Sequence, residues 1–212
     1  QWYASNRLTG KKYLVTSGGN SSNVEADWSI MSFESNIGWN FKSDWGAEQQ
    51  SWMWKRGAGF DVVCYTGTTV AHSIPHSLGR APQMIWIKAR EEGYDWMVNH
   101  IGLNGGTDYQ DYALTLNNDS TPNATSAFGQ TVPNSTHFSV GVHNSTNANS
   151  KDFTAMLFAS VKGISHCGFY DGSSGSQTIT IPNGGFQPRF VIIKCVTAAK
   201  EWVVIDTTRG WG

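Results

Sequence analysis

Residues 81–88 read Ala-Pro-Gln-Met-Ile-Trp-Ile-Lys, and Asp-Trp-Met-Val follows at residues 95–98. The pattern returns 106 residues later, where residues 187–194 read Gln-Pro-Arg-Phe-Val-Ile-Ile-Lys and residues 201–204 read Glu-Trp-Val-Val. Each pattern contains two apolar runs of strand length with a polar connection between them, which predicts two short β-strands. Self-similarity at one spacing indicates a repeated structural unit.

The rest of this unit recurs more faintly. Residues 2–10 resemble 202–210, residues 12–16 resemble 111–115, and residues 52–56 stand where 156–160 stand in the next copy. We predict that the positions shared between copies anchor the core of each repeat. These anchors are Trp2, Trp96, Trp202, Pro82, Pro188, Lys88 and Lys194.

The spacing divides the chain into three predicted parts. Residues 1–58 are the C-terminal part of one repeat, residues 59–162 are one full repeat, and residues 163–212 are the truncated N-terminal part of the next. Because a copy is cut within the motif at either end, we expect the sequence to be an excerpt of a longer protein.

The composition favours short strands joined by turns. Charged residues make up 15% of the chain, against about 25% in an average soluble domain. Aromatic residues reach 13% and glycine occurs 23 times. Disorder is disfavoured, because disordered chains lack aromatic and β-branched residues. Apolar residues show no helical periodicity, and turn-forming residues separate the apolar runs. We therefore predict an all-β fold of tandem, antiparallel β-sandwich-type repeats.

The burial of two predicted strands follows from their patterns. Residues 178–181 alternate Thr and Ile, so Ile179 and Ile181 should face the core, whereas the unbroken apolar run Phe190–Ile193 should be buried on both faces. The predicted strands are Phe60–Tyr65, Gln83–Lys88, Asp95–Asn99, Tyr112–Leu116, His137–Val142, Phe153–Val161, Gly168–Tyr170, Gln177–Ile181, Phe190–Val196 and Trp202–Asp206.

Charge and hydropathy argue against two classes of partner. The formal net charge is −1, and the basic residues form no stripe, which disfavours binding to nucleic acid through its phosphates. No apolar run approaches the roughly 18 residues that a membrane span needs. We expect neither a nucleic-acid nor a membrane partner.

Motifs for catalysis or metal binding are weak. His72 and His76 lie four residues apart, a separation of about 13 Å along a strand. Asp108, Asp111 and Asp119 lack the spacing of a calcium loop, although calcium stays open. We expect no cofactor and no enzymatic activity. A carboxylate pair for polysaccharide cleavage also stays open, because spacing cannot show which acidic residues converge.

The aromatic residues leave the main ambiguity. Several tryptophans have no counterpart in the other copy, and exposed indoles stack on sugar rings and dominate interfaces. Residues 52–54 read Trp-Met-Trp, so one face of this run could pack against a neighbouring chain. We predict that Trp39, Trp45 and Trp211 are exposed and bind a ligand. The alternative for these tryptophans is packing in the core or at a subunit interface.

The run from Tyr65-Thr66-Gly67 through the Ile-Pro-His-Ser-Leu-Gly sequence at 74–79 to Trp96 resembles a repeated domain of unknown function. That domain occurs in tail-fibre and tail proteins of marine bacteriophages, including cyanophages. Residues 153–159 and 202–210 are similar to the same family. The resemblance implies a β-rich virion protein with a role in host attachment, and it carries no established catalytic residues.

The function expected from these observations is a structural and receptor-binding segment of a phage tail fibre, located in the virion tail or outside cells. Its partners would be further copies of the chain, with a trimer favoured, and a glycan or protein of the host surface. A secreted or cell-surface carbohydrate-binding adhesin is the alternative. A polysaccharide depolymerase is the third hypothesis.

Overall fold

A computed structural model gives the fold. It describes residues 2–16, 26–27, 31–33, 38–41, 50–182 and 184–210.

The described residues form an almost entirely β structure, with the strands in this order: β1 Tyr3–Ala4, β2 Lys12–Val15, β3 Ala26–Asp27, β4 Met31–Ser32, β5 Asn40–Phe41, β6 Phe60–Thr66, β7 His72–Pro75, β8 Met84–Ala89, β9 Met97–His100, β10 Tyr112–Thr115, β11 Asn123–Ala124, β12 His137–Val140, β13 Asp152–Phe158, β14 Phe190–Ile193 and β15 Val203–Asp206. Helical structure in the described residues consists of the four-residue helix α1 Asn144–Asn147 and 3-10 turns at Leu103–Gly106 and Tyr109–Asp111. The prediction of an all-β fold is confirmed.

The centre of the fold is an antiparallel six-stranded sheet with the order β11-β10-β9-β8-β13-β6. A second, two-stranded sheet made of β7 and β12 contributes to the core on one of its faces. This arrangement is β-sandwich-like. Further small sheets, β1-β2-β3, β4-β5 and β14-β15, come from the two ends of the chain.

Strand β13 shows why the large sheet forms. It lies between β6 and β8 and pairs with both along its length. Its side chains alternate, so Phe153, Ala155 and Leu157 enter one core while Met156 and Phe158 enter the other. A strand that is apolar on both sides must lie where both faces of the sheet are covered, so packed layers are needed above and below β13.

The first core lies between the two sheets of the sandwich. Ile85 and Ile87 of β8 meet Phe138 and Val140 of β12 there, with Phe128 from a loop. The second core lies on the opposite face of the large sheet. Strand β8 contributes Trp86 to it, and residues from β2 and from the region of β14 and β15 complete it, among them Leu14, Ile192 and Trp202.

Two hairpins share one pairing register. In the first, Met84 of β8 pairs with His100 of β9; in the second, Phe190 of β14 pairs with Asp206 of β15. Phe190 lies 106 positions after Met84, and Asp206 lies 106 positions after His100. The flanking hydrogen bonds agree as well, since the amide of residue 101 donates to the carbonyl of 83 at 2.9 Å and the amide of 207 donates to the carbonyl of 189 at 3.0 Å.

A second pair of strand pairings also agrees. Tyr3 of β1 pairs with Val15 of β2, and Met97 of β9 pairs with Thr115 of β10. Tyr3 and Met97 each directly follow a tryptophan of the repeat pattern. Val15 therefore corresponds to Thr115, one residue beyond the alignment of residues 12–16 with 111–115 that the sequence suggests.

Two predicted strands are absent from the structure. The segments Gly168–Tyr170 and Gln177–Ile181 form no strand, and Ile179 is 47% exposed instead of facing a core. In residues 59–162 the corresponding strands β6 and β7 pair with β13 and β12. The described chain after residue 163 contains only β14 and β15, so it supplies no such partner strand.

The prediction for the apolar run Phe190–Ile193 was also wrong. These four residues form β14, but each is only partly buried. The run has the composition of a strand with two covered faces, and in the structure it belongs to a two-stranded sheet. A two-stranded sheet cannot bury both of its faces to the extent of a central strand in a large sheet.

Gly141 offers a test of the packing beside β12. An added Cβ at this position would overlap the carbonyl oxygen of Ser126 and crowd Gly129. We expect Gly141→Ala to lower the free energy of unfolding by about 1–3 kcal/mol, because backbone atoms must move. Urea unfolding followed by tryptophan fluorescence measures this. Gly175→Ala is the matched control, since nothing lies within 4 Å of its added Cβ; equal losses in both variants would contradict the packing.

Candidate functional site

Two tryptophans of the repeat pattern make equivalent hydrogen bonds outside their own hairpins. Trp96, just before β9, is fully buried and donates its indole Nε1–H to the carbonyl of Val15 at 2.8 Å. Trp202, just before β15, donates in the same way to the carbonyl of Thr115 at 3.0 Å. Because Val15 and Thr115 hold corresponding positions, each bond links a hairpin to the strand of the preceding part of the chain.

The two lysines of the pattern make similar contacts, because each donates to a carbonyl of the loop that follows its strand. The ammonium group of Lys88 donates to the carbonyls of Ala89 and Glu92, at 2.8 and 2.7 Å. Lys194 donates to the carbonyl of Lys200 at 2.5 Å and to that of Asp119 at 2.9 Å. Each lysine thereby fixes the loop between the two strands of its hairpin.

Lys88 is an ionisable group with a fully buried side chain. Burial lowers its pKa to about 8, while the negative charges of Asp95 and Glu92 act in the opposite direction. The carbonyls that accept its hydrogen bonds replace the water it loses. The role of Lys88 is therefore to secure the connection between β8 and β9.

The other predicted anchors occupy different environments. Pro82 is buried immediately before β8. Pro188 is partly buried and lines an open groove with Ile179, Ile181 and Phe186. Trp2 is 41% exposed and stacks on Trp52, with the ring centroids 4.8 Å apart and the planes 4° from parallel.

The predicted ligand-binding residues are placed only in part. Trp39 is partly buried, beside β5. Trp45 and Trp211 lie outside the described residues. The ligand-binding role of all three stays a prediction.

The structure brings together an aromatic group that the sequence did not indicate. We call it the aromatic seam, and it consists of Trp2, Trp52, Trp54, Phe190 and Arg209. The ring centroid of Phe190 lies 5.7 Å from that of Trp52 and 5.6 Å from that of Trp54. The guanidinium carbon of Arg209 lies 5.4 Å from the Trp52 ring centroid and 6.0 Å from that of Trp2, within cation–π range.

The seam joins residues that are far apart in the chain. The alternation of Trp52 and Trp54 in the sequence predicts that one face of this run packs against a neighbouring chain. In the structure they meet Phe190 of the same chain, and residues 50–54 form no strand. Neither Phe190 nor Arg209 carries a local sequence signal for this contact.

A buried carboxylate supports the seam. Asp206 is 3% exposed and accepts hydrogen bonds from Nε2 of Gln50 at 2.7 Å and from Nε of Arg209 at 2.6 Å. Burial alone would raise the pKa of Asp206. The hydrogen bonds from the backbone N–H of Arg209, the Gln50 amide, the Arg209 side chain and the backbone N–H of Thr208 outweigh burial and lower this pKa to about 2. The carboxylate and Arg209 thus form an ion pair that leaves the seam with little net charge.

The seam has the properties of a stacking surface. Trp54 is 42% exposed and the adjoining Met53 is 69% exposed, so apolar side-chain area in and beside the seam faces solvent. Among the described residues, Nε1 of Trp52 has no hydrogen-bond acceptor although it is buried. Indole faces with adjacent hydrogen-bonding groups suit a ligand that is apolar on one side and polar on its rim.

Clusters that could support other chemistry are sparse. Oγ of Ser160 lies 3.4 Å from Nδ1 of His166. Burial, together with repulsion from His166, lowers the pKa of the nearby His100 to about 4. Within the described ranges, no three His, Cys, Asp or Glu side chains are placed to hold a metal ion, so Asp108, Asp111 and Asp119 do not form such a group. Among the same residues, no helix has the length and hydropathy of a membrane span.

Comparison with known protein families gives a match over most of the chain. The family described as a domain of unknown function (DUF7483) matches residues 9–211. Neither the curated proteins nor the solved structures gave a match.

The tryptophan bonds predict a specific loss of stability. Trp96→Phe keeps a ring in place but removes the donor to the buried carbonyl of Val15. We expect a loss of about 1–3 kcal/mol in the free energy of unfolding, and a smaller loss for Trp202→Phe because that indole is partly exposed. Chemical unfolding followed by circular dichroism measures both. Trp54→Phe is the control at an exposed indole, and a loss there as large as at Trp96 would argue against the hydrogen bond as the cause.

Lys88 predicts a dependence of stability on alkaline pH. Its pKa is about 8 in the folded protein and 10.5 in an ordinary lysine. Between these values the unfolded chain binds more protons, so stability should rise with pH over this interval. Melting temperatures of the wild type and Lys88→Met, measured from pH 7.5 to 10, should therefore diverge in favour of the wild type. Lys194→Met, which retains Lys88, should keep the wild-type slope, and parallel curves for Lys88→Met and the wild type would contradict the prediction.

Proposed function

We propose that this chain, which belongs to the family described as a domain of unknown function (DUF7483), is a structural and attachment module of a virion appendage such as a phage tail fibre. The proposed location is the virion tail, outside cells. The proposed ligand is a glycan of the host surface, bound at the aromatic seam. The exposed aromatic surface of the seam, held on a β frame, is the observation that carries this proposal.

The frame supports a mechanical role. The large sheet is apolar on both faces, and both are covered. Buried indole and ammonium groups tie neighbouring parts of the chain together through hydrogen bonds to backbone carbonyls. Such a structure resists local opening, because each link must be broken together with apolar packing.

The seam supports recognition of a sugar. The exposed parts of Trp54 and Trp2 provide apolar area for stacking, the guanidinium of Arg209 lies beside Trp2, and the amide of Gln50 binds the Asp206 carboxylate that pairs with Arg209. The Asp206–Arg209 ion pair leaves no strong charge, which suits an uncharged sugar ring more than a phosphate or a nucleic acid. Weak binding at one such site becomes strong when an appendage presents several copies.

The resemblance to tail-fibre proteins supports the virion context. Two other hypotheses predict different results. A secreted adhesin of the same fold would bind sugar without any virion. A depolymerase would release reducing ends from host polysaccharide, with loss of activity on changing one acidic residue. We infer a non-catalytic role, because the neighbour that acts on His166 is His100, whose pKa of about 4 leaves it uncharged near pH 7, so it cannot stabilise a catalytic imidazolium as a carboxylate does.

Binding to bacterial cells tests the proposal. The purified 212-residue chain is labelled and incubated with marine bacteria, and whole phage is added as competitor. We expect cell decoration that phage displaces. Trp54→Ala should weaken binding about tenfold, because truncating an aromatic contact costs about 1–2 kcal/mol.

Tyr170→Ala is the matched control, because Tyr170 is an exposed aromatic residue outside the seam. Its binding should equal that of the wild type, and circular dichroism should show that both variants are folded. Light scattering establishes whether the chain is a trimer, as expected for a fibre, or a monomer. A folded chain that decorates no cell and binds no host polysaccharide would contradict the attachment role and leave a structural spacer.

A further inference from the structure

We infer that the three hairpin regions of the chain belong to successive copies of one unit, the first and third of them partial, and that these three parts close into a ring within a single molecule. The first unit is the partial copy in residues 1–58, the second is the full copy in residues 59–162, and the third is the partial copy in residues 163–212. Their hairpin strands are β1 and β2, β8 to β10, and β14 and β15.

The three units also share a local turn after the strand that follows the tryptophan. Four residues after its tryptophan, each unit carries a side chain that caps the following backbone. Oδ1 of Asn6 accepts from the amides of residues 8 and 9 at 3.0 and 3.2 Å. Oδ1 of Asp206 accepts from the amides of residues 208 and 209, both at 3.0 Å, and Nδ1 of His100 accepts from the amide of residue 102 at 3.0 Å. Three different residue types thus perform one structural role at one position.

Neighbouring units meet through the same contact. The indole of Trp96 in the second unit donates to β2 of the first unit. The indole of Trp202 in the third unit donates to the corresponding residue of β10 in the second unit. The step from the first unit to the second is therefore repeated from the second to the third.

A second type of contact joins the first unit to the second and the third unit to the first. Nδ2 of Asn6 in the first unit lies 3.4 Å from Oγ1 of Thr154 in the second unit. Asp206, the counterpart of Asn6 in the third unit, binds Gln50 of the first unit at 2.7 Å. Gln50 corresponds to Thr154, because residues 52–56 stand 104 positions before 156–160. The first unit thus takes the place that follows the third.

Other contacts agree with this closure. Arg209 of the third unit lies over Trp2 and Trp52 of the first unit, and Phe190 of the third unit packs on Trp52 and Trp54. The second core contains Leu14 of the first unit, Trp96 of the second unit and Ile192 of the third, so all three units share it. An open row of units would leave the first and the third apart.

The ring has a consequence for the proposed function. The proposed attachment role depends on the aromatic seam, whose side chains come from the first and the third unit. The aromatic seam then lies where the third unit meets the first.

Hydrogen exchange measured by mass spectrometry tests the ring without any ligand. Gln50→Ala removes a side chain of the first unit whose amide binds Asp206 of the third unit. We expect amide exchange in residues 203–210 to become about three to ten times faster, because the contact that holds this turn is lost. In the other direction, Arg209→Gln should speed exchange in residues 2–10.

Gln177→Ala is the matched control, since its amide makes a local bond to the carbonyl of Asp171 within the third unit. It should leave exchange in residues 203–210 unchanged. Light scattering at each protein concentration gives the number of chains, and the effects of Gln50→Ala and Arg209→Gln should persist at dilutions where the chain is a monomer. Effects confined to the mutated unit, or lost on dilution, would overturn the ring. Cell binding is measured separately, so failure of the attachment role would leave the exchange result intact.

Discussion

A sheet that is apolar on both faces cannot leave either face in water, and the rest of this structure follows from that constraint. Strands β8 and β13 carry large apolar side chains alternately on both sides. The two-stranded sheet of β7 and β12 and a loop cover one face from within residues 59–162. The opposite face is covered by residues from the two ends of the chain, including Leu14 and Trp202. The central part therefore relies on both ends of the chain to complete the burial of this face.

Apolar packing alone would not fix how these neighbours sit, because it is non-directional. Hydrogen bonds from buried donors provide the direction. The indole of Trp96 reaches one particular carbonyl of β2, and Lys88 reaches two carbonyls of its own loop. A shift of register would leave these donors buried without acceptors, which is costly. This explains why tryptophan and lysine, two residues with long side chains that end in or carry a donor, recur at fixed places in the pattern.

The aromatic seam also consists largely of tryptophan side chains, but two of them are much more exposed to solvent than Trp96. Trp96 is enclosed, whereas Trp2 and Trp54 keep a large part of their surface in water. An ion pair between the buried carboxylate of Asp206 and the exposed guanidinium of Arg209 holds the cluster together and keeps its net charge low. The family to which the chain belongs is described as a domain of unknown function, so attachment through the seam stands as our proposal on physical grounds.

The sequence by itself determined the all-β class, the position of most strands in residues 59–162 and the hairpin of β14 and β15, because alternation, turn residues and the recurring Pro, Lys and Trp are local signals. It did not show that residues 168–170 and 177–181 form no strand, since their patterns predict strands as clearly as those of β6 and β7 do. A strand forms only when another strand completes its hydrogen bonds, and which partner is present is not written in the segment itself. The sequence did not indicate the seam either. Trp52 lies more than a hundred residues before Phe190 and Arg209, and neither of these two residues carries a local signal for the contact. Only the tertiary structure decided that these side chains meet, because their proximity results from how the hairpins pack on a shared core.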